Sequence, residues 1–273
     1  MALGLALVTN ASSAVEWEMA PREERYPEYL ADPRRPRIGV NILTIIESGI
    51  GDEWPVSKTR YDLQVGERID AVRMAGEDWH VDLFAEAGYF AQFDIVNNLD
   101  GIGWDGWYAF HLAYCPHPGW FGKAAFRHFS SHRTDEFVEK TGALRRGYTR
   151  EDVSLALAWR PNESSTGAYL EGSHITDAGD APEIEKFAVQ FGAQYQSPRV
   201  ASHRWTWSVG VDVSMFEDND WEPNVNLFAD CRLHDDTGQA FALRFAVYDG
   251  RSQLGEFNHL DERHWSIGAG WEF

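Results

Sequence analysis

No apolar run in this sequence reaches the roughly 18 residues that a membrane-spanning helix requires. Positive charge is also scarce, since 24 Lys and Arg stand against 43 Asp and Glu and give a formal net charge of −19. This balance argues against a nucleic acid as the partner. The mean hydropathy is −0.42. Neither property excludes a membrane protein built from strands, because such strands face lipid with only every second residue.

Aromatic residues, in contrast, are abundant. They make up 14% of the chain and include 12 Trp, which suits two girdles at the edges of a membrane. The last ten residues, 264–273, alternate between an apolar and a small or polar parity, with Trp265 and Phe273 near the two ends of the apolar side. This strand resembles the closing strand of bacterial outer-membrane β-barrels, which ends in Phe.

The same alternation recurs along the chain. It predicts twelve strands, at residues 36–46, 59–73, 78–93, 106–116, 120–131, 150–160, 166–176, 184–196, 204–215, 223–234, 239–249 and 263–273. The links between them are alternately short turns and longer loops. This arrangement predicts an all-β fold, a transmembrane up-and-down antiparallel β-barrel of about 12 strands, with both termini on the short-turn, periplasmic side.

The residues before the first strand lack this period. Residues 1–14 are apolar and then small, which favours an export signal, although the usual basic start is missing. Residues 15–35 are charged and rich in proline, and we interpret them as a periplasmic lead-in segment. Residues 36–273 are then a single outer-membrane barrel. The only two cysteines, Cys115 and Cys231, fall on opposite faces of the predicted wall, so we expect two free thiols.

A soluble β-sandwich also has short alternating strands, and it is the alternative fold. A sandwich would bury the apolar faces in one core and carry charge on the others. Here the faces opposite the apolar ones carry mainly Gly, Ala, Ser, Thr, Asn and Gln with scattered ions. A crowded, wet barrel interior explains this composition better.

The fifth predicted strand carries the candidate chemistry. A cation that faces lipid near the bilayer midplane costs about 2–4 kcal/mol, so Lys123 and Arg127 are expected to face the interior. His128 and Ser130 are then turned outward at the upper end of the strand. Two residues apart on one strand, their side chains can meet as a nucleophile and its base. Glu151, at the same end of the next strand and on its outward parity, is the best candidate to orient the imidazole, and Glu139 in the loop is the second.

The stretch Phe126-x-His128-x-Ser130 resembles the F-x-H-x-S strand of outer-membrane lipid A deacylases. His128-x-Ser130-x-x-Arg133 is also similar to the H-x-S-N-G-R-S stretch of outer-membrane phospholipase A, a twelve-stranded barrel. These resemblances imply a lipid-facing hydrolase with Ser130 as nucleophile and His128 as base. They also imply Arg133 as a binding residue and calcium as the candidate cofactor.

Two departures from the phospholipase pattern stand out, and the first is that no Asn occupies the position of the third member of the phospholipase site. Ser131 and His132 replace the Asn-Gly of the phospholipases, which puts the oxyanion hole and any calcium site in doubt; backbone N–H groups near Ser131 are the expected oxyanion donors. Arg145 and Arg146, in the loop that follows, are candidate contacts for lipid phosphates. Apart from this motif, LADPRRP (30–36), SSHRTDEF (130–137) and GRSQLGEF (250–257) resemble an uncharacterised family of bacterial outer-membrane proteins.

We therefore expect an outer-membrane protein that meets outer-membrane lipids and the barrel assembly machinery, with a homodimer as a further candidate. Its leading function is hydrolysis of a lipid acyl ester. The alternative is a non-catalytic barrel, either a narrow pore or a structural component, in which His128 and Ser130 are ordinary interfacial residues. His128, His132 and Asp135 have irregular spacing for a metal site.

Overall fold

The alternating stretches of the sequence form β-strands in the computed structural model of the chain. The structure describes residues 15–21, 26–98, 100–117, 119–145, 147–161, 166–178, 186–199, 204–237 and 239–272. Within these residues, twelve antiparallel strands form a closed barrel. Strands that follow one another in the sequence pair with each other, and the first strand of the barrel pairs with the last. They are β2 Ile38–Ser48, β3 Thr59–Ala75, β4 His80–Asp94, β5 Asp100–His117, β6 Trp120–Arg133, β7 Tyr148–Trp159, β8 Thr166–Asp177, β9 Phe187–Gln196, β10 Trp205–Phe216, β11 Asn224–His234, β12 Ala240–Arg251 and β13 Asp261–Glu272.

The barrel predicted from the sequence is thereby confirmed, and most strand ends lie within a few residues of the predicted ones. The largest difference is in β5, which begins at Asp100 rather than at position 106. Gly101, Gly103 and Gly106 offer no side chain on either face, so the alternation is invisible there. Because of these six additional residues, β5 reaches as high as the end of β6.

The outside of the barrel is an apolar belt. Leu155 is 73% exposed, Phe245 46% and Trp207 40%, as are many other large apolar side chains around the wall. A soluble sandwich would place these residues in a shared core, so their exposure contradicts that alternative. The lower rim carries aromatic rings such as Trp120 and Trp159, whose ring centroids are 6.5 Å apart. The belt and its aromatic rim match the outer surface of a membrane-spanning barrel.

The inside of the barrel is filled with paired charges. Arg60 and Glu262 are almost fully buried and meet at 2.5 Å. Glu171 on β8 accepts contacts from Lys123 at 3.0 Å and from Arg127 at 3.2 Å. Buried charges persist only when they are paired, so this interior depends on its ion pairs. The predicted inward orientation of Lys123 and Arg127 is confirmed by these contacts.

The segment predicted as a lead-in has two structural parts. Residues 16–19 form the short strand β1, Glu16–Met19, which pairs with the lower part of β3. Residues 26–36 lie inside the barrel, where Tyr26, Tyr29, Leu30 and Ala31 are all buried. Nothing in the irregular sequence of this segment indicated that it fills the interior. Residues 1–14, interpreted as an export signal, lie outside the described residues.

Tyr29 is the central contact of this internal segment. Its ring stacks on Tyr169 with a centroid separation of 3.7 Å, and its hydroxyl donates to Glu171 at 3.1 Å. Burial raises the pKa of Tyr29 far above its ordinary value, and the nearby Glu171 carboxylate raises it further. The hydroxyl therefore stays protonated and remains a donor. A cavity of about 300 Å³, lined by both polar and apolar side chains, is left in the interior beside the segment.

Replacing Tyr29 with Phe removes this donor and keeps the stacked ring. We expect Tyr29→Phe to lower the free energy of unfolding by about 2 kcal/mol, because a hydrogen bond to a buried charged group is lost. Urea titration of the protein refolded in lipid vesicles measures the change. Tyr114→Phe, on the exposed outer wall, is the matched control and should change stability by less than about 0.5 kcal/mol. Equal effects of the two variants would contradict the anchoring role of Tyr29.

The long loops close over the upper end of the barrel. They contain the helices α1, Gly49–Glu53, and α2, Asp135–Thr141, and a 3-10 turn at Gly255–Phe257. Apolar side chains from these loops and the top of β5 form one buried cluster, which includes Ile50, Ile102, Phe137, Leu254 and Phe257. No helix within the described ranges is long and apolar enough to cross a membrane.

Candidate active site

The candidate residues lie on the outward face of β6. Inward positions of this strand, such as Phe129 and Ser131, are buried, while His128, Ser130 and His132 are partly exposed between them. The alternation has this phase because Lys123 and Arg127 are held inside by Glu171 and Asp152. The predicted outward orientation of His128 and Ser130 agrees with this pattern.

Two side-chain pairs make up the site. The hydroxyl oxygen Oγ of Ser130 lies 2.9 Å from Nε2 of His132. On the neighbouring strand, Oε1 of Glu151 lies 3.2 Å from Nδ1 of His128. His128 and Glu151 are direct register partners across β6 and β7, which explains why the carboxylate reaches the ring. The nucleophile candidate therefore contacts one imidazole, and the orienting carboxylate contacts the other.

Aromatic rings from β5 pack on both imidazoles. Tyr108 stacks on His128, with ring centroids 5.0 Å apart and an interplanar angle of 20°. Trp104 packs on His132 at 4.4 Å. Each aromatic is the register partner of the histidine that it contacts. These contacts restrict the two rings and leave Ser130 between them, opposite Gly106, which has no side chain to cover it.

From the sequence we expected Ser130 to contact His128. The structure gives Ser130 a different hydrogen-bond partner, His132, because both histidines lie two residues away on the same face and the serine can turn toward either. From the sequence, His132 was a candidate only for a metal site. The symmetric spacing H-x-S-x-H was the available signal for its second role.

The four predicted binding residues are dispersed. Ser131 is buried inside the barrel, where its hydroxyl accepts a hydrogen bond from the Glu256 backbone N–H at 2.8 Å. Arg133 is also buried inside and donates to the Leu144 carbonyl at 2.7 Å. Their parity on β6 turns both side chains away from Ser130, so the binding role expected of Arg133 is corrected, whereas the expectation for Ser131 concerned its backbone N–H. Arg145 is exposed and pairs with Asp135, and Arg146 lies outside the described residues.

The height of the site follows from the geometry of the strand. Ser130 is ten residues above Trp120, which lies at the lower aromatic rim. At about 3.3 Å per residue and a tilt of about 40°, this separation corresponds to about 25 Å along the barrel axis. The apolar band of an outer-membrane barrel is about 25 Å tall, so Ser130 lies at the upper edge of the belt.

No group of three or more His, Cys, Asp or Glu side chains is placed to hold a metal ion among the residues that the structure describes. This includes the set His128, His132 and Asp135. Cys115 is buried and Cys231 exposed, and neither forms a disulfide, as predicted.

Solved structures of similar shape are outer-membrane barrels. Outer-membrane phospholipase A from Escherichia coli superposes with a TM-score of 0.57 at 11% identity, covering 91% of this chain and 93% of that one. The calcium-bound dimer of the Salmonella typhi outer-membrane phospholipase gives a TM-score of 0.56 at 12% identity, with the same coverages. The porin NanC gives 0.50 at 9% identity, covering 86% of this chain and 100% of that one.

The chain has the fold of an outer-membrane β-barrel. At these identities the likeness extends to the fold alone, since phospholipases and a porin share it. No protein-family model and no curated protein matches the sequence significantly. Any activity of this chain therefore has to be inferred from the geometry of the site.

Proposed function

We propose that this protein is an outer-membrane hydrolase of lipid acyl esters, similar in activity to a phospholipase A or a lipid A deacylase. Ser130 is the nucleophile, His128 the general base and Glu151 the residue that orients it. One observation carries the proposal: a serine hydroxyl and two imidazoles, one of them bonded to a carboxylate, lie on the outside of the barrel at the upper edge of its apolar belt.

His128 is the better base of the two histidines. Glu151 accepts a hydrogen bond from Nδ1 of His128, which leaves Nε2 free to take a proton. Among the described residues, His132 has no carboxylate at its Nδ1. The proposal requires that a rotation of Ser130 about χ1 turns its hydroxyl from His132 toward His128. Such rotations between staggered positions are inexpensive for a partly exposed serine.

The reaction then follows the order of serine esterases. Oγ of Ser130 attacks the ester carbonyl carbon while its proton passes to Nε2 of His128. Collapse of the tetrahedral intermediate breaks the bond to the alcohol oxygen, which receives that proton from His128. A water molecule then attacks the acyl-serine by the same steps, releasing the fatty acid and restoring the hydroxyl.

The position of the site favours a membrane lipid as substrate. A lipid in the outer leaflet keeps its acyl chains against residues such as Phe126 and Val153, directly below the site, and only its ester needs to reach Ser130. Outer-membrane location is part of this proposal and is supported by the apolar belt. The pore alternative is less well supported, because residues 26–36 occupy the interior.

Refolded protein should release fatty acid from vesicles of phospholipid or lipopolysaccharide. The same protein should react with a lipophilic fluorophosphonate, and peptide mass spectrometry should locate the label on Ser130. Release from one lipid class and not the other identifies the substrate. No release from either class, together with no label on Ser130, would overturn the proposal.

A further inference from the structure

A serine hydrolase needs hydrogen-bond donors for the oxyanion that forms on the substrate, and the backbone of β6 is poorly placed to supply them. In an antiparallel sheet, N–H groups lie in the plane of the sheet and not toward its faces. Ser131 has register partners on both sides, Asp105 on β5 and Tyr148 on β7. The N–H of Arg133 donates inward to Glu256. The donor expected near Ser131 therefore has to be a side chain.

His132 is the side chain in the right place. Its Nε2 lies 2.9 Å from the present position of the Ser130 oxygen, on the outward face. When Ser130 turns toward His128, this nitrogen loses its partner and is left beside the reacting centre. Trp104 packs on the ring at 4.4 Å and holds it there, so the donor is oriented before the substrate arrives.

We infer that His132 is a catalytic residue whose Nε2–H donates to the substrate oxyanion, and that it holds Ser130 in a resting orientation between turnovers. The inference depends on the proposed function, since it concerns the same serine. During attack the proton of Ser130 goes to His128, the carbonyl π electrons move onto oxygen, and that oxygen accepts the hydrogen bond of His132. When the intermediate collapses, the C=O bond re-forms and the hydrogen bond weakens.

Two substitutions separate this role from that of a base. His132→Ala removes the donor and should lower kcat by about 10²- to 10³-fold, the usual effect of losing one oxyanion donor, with KM nearly unchanged. His132→Gln retains an N–H donor but cannot accept and return a proton, and it should recover most of kcat. His174→Ala, on the outward face of β8, is the matched control and should resemble the wild type.

The outcomes distinguish the competing explanations. If His132→Gln is as inactive as His132→Ala, His132 is the base and the inference is overturned. If both variants match or exceed the wild type while Ser130→Ala is inactive, only the inference fails. If Ser130→Ala keeps full activity, the proposed function itself fails. A gel-mobility assay of unboiled samples confirms that each variant is folded before its kinetics are compared.

Discussion

Ser130→Ala should lower the rate of lipid ester hydrolysis by about 10³-fold or more. Removal of the nucleophile eliminates the covalent route, and only the weaker contribution of oxyanion binding and substrate positioning remains. The barrel should fold normally, because the hydroxyl is partly exposed and its contact is with His132. Initial rates of fatty-acid release, measured at saturating and at limiting lipid, give the change in kcat and in kcat/KM.

The matched control for this variant is Thr44→Ala. Thr44 also carries a hydroxyl on the outside of the wall, on β2, away from β6. The Thr44→Ala protein should hydrolyse lipid at the wild-type rate and take up the fluorophosphonate label at Ser130. A Ser130→Ala protein that is as active as Thr44→Ala would show that any hydrolysis occurs elsewhere.

Glu171→Ala should lower the free energy of unfolding by about 3–5 kcal/mol, the typical cost of leaving buried charges without their partner. Glu171 is 1% exposed and lies within 3.2 Å of both Lys123 and Arg127. Arg127 keeps Asp152, but Lys123 is left facing the rings of Tyr26 and Tyr29. Urea-induced unfolding in vesicles, followed by tryptophan fluorescence, measures the loss.

An exposed ion pair on the same barrel provides the comparison. Asp249 contacts Arg263 at 2.9 Å, and both side chains are exposed on the outside of β12 and β13. Asp249→Asn should leave the stability nearly unchanged, because solvent screens such pairs. If the two substitutions cost the same, the interior does not depend on buried ion pairs as described above.

The barrel was predictable because every strand is subject to the same requirement, an apolar face toward lipid and a polar or small face toward the interior. Along each strand, side chains point alternately to lipid and to the interior. The pattern is visible in the sequence wherever every second residue is apolar, as at Val153, Leu155 and Leu157. The cost of a cation in lipid fixed the phase of β6 from Lys123 and Arg127 alone, and with it the direction of His128 and Ser130. The pairing of His128 with Glu151 follows from register once the two strands are neighbours.

The features that were not predicted depend on individual side-chain contacts, which produce no periodic pattern in the sequence. Residues 26–36 are held inside the barrel by individual contacts, such as the stacking of Tyr29 on Tyr169. Such contacts cannot be inferred from the sequence of an irregular segment. The partner of Ser130 is set by a side-chain rotation between two equivalent neighbours, and sequence spacing cannot choose between them. Arg133 was assigned by resemblance to a motif, although its parity on the strand already turned it inward.

The orientation of β6 is the claim on which the account depends most. Site-directed spin labels, placed after both native cysteines are changed to serine, measure it directly through collisions with oxygen, which concentrates in lipid. We predict high oxygen accessibility for labels at Ala124, Phe126, His128 and Ser130, and low accessibility at Phe121, Ala125 and Phe129. The opposite phase, with labels at 128 and 130 shielded from oxygen, would contradict a lipid-facing site.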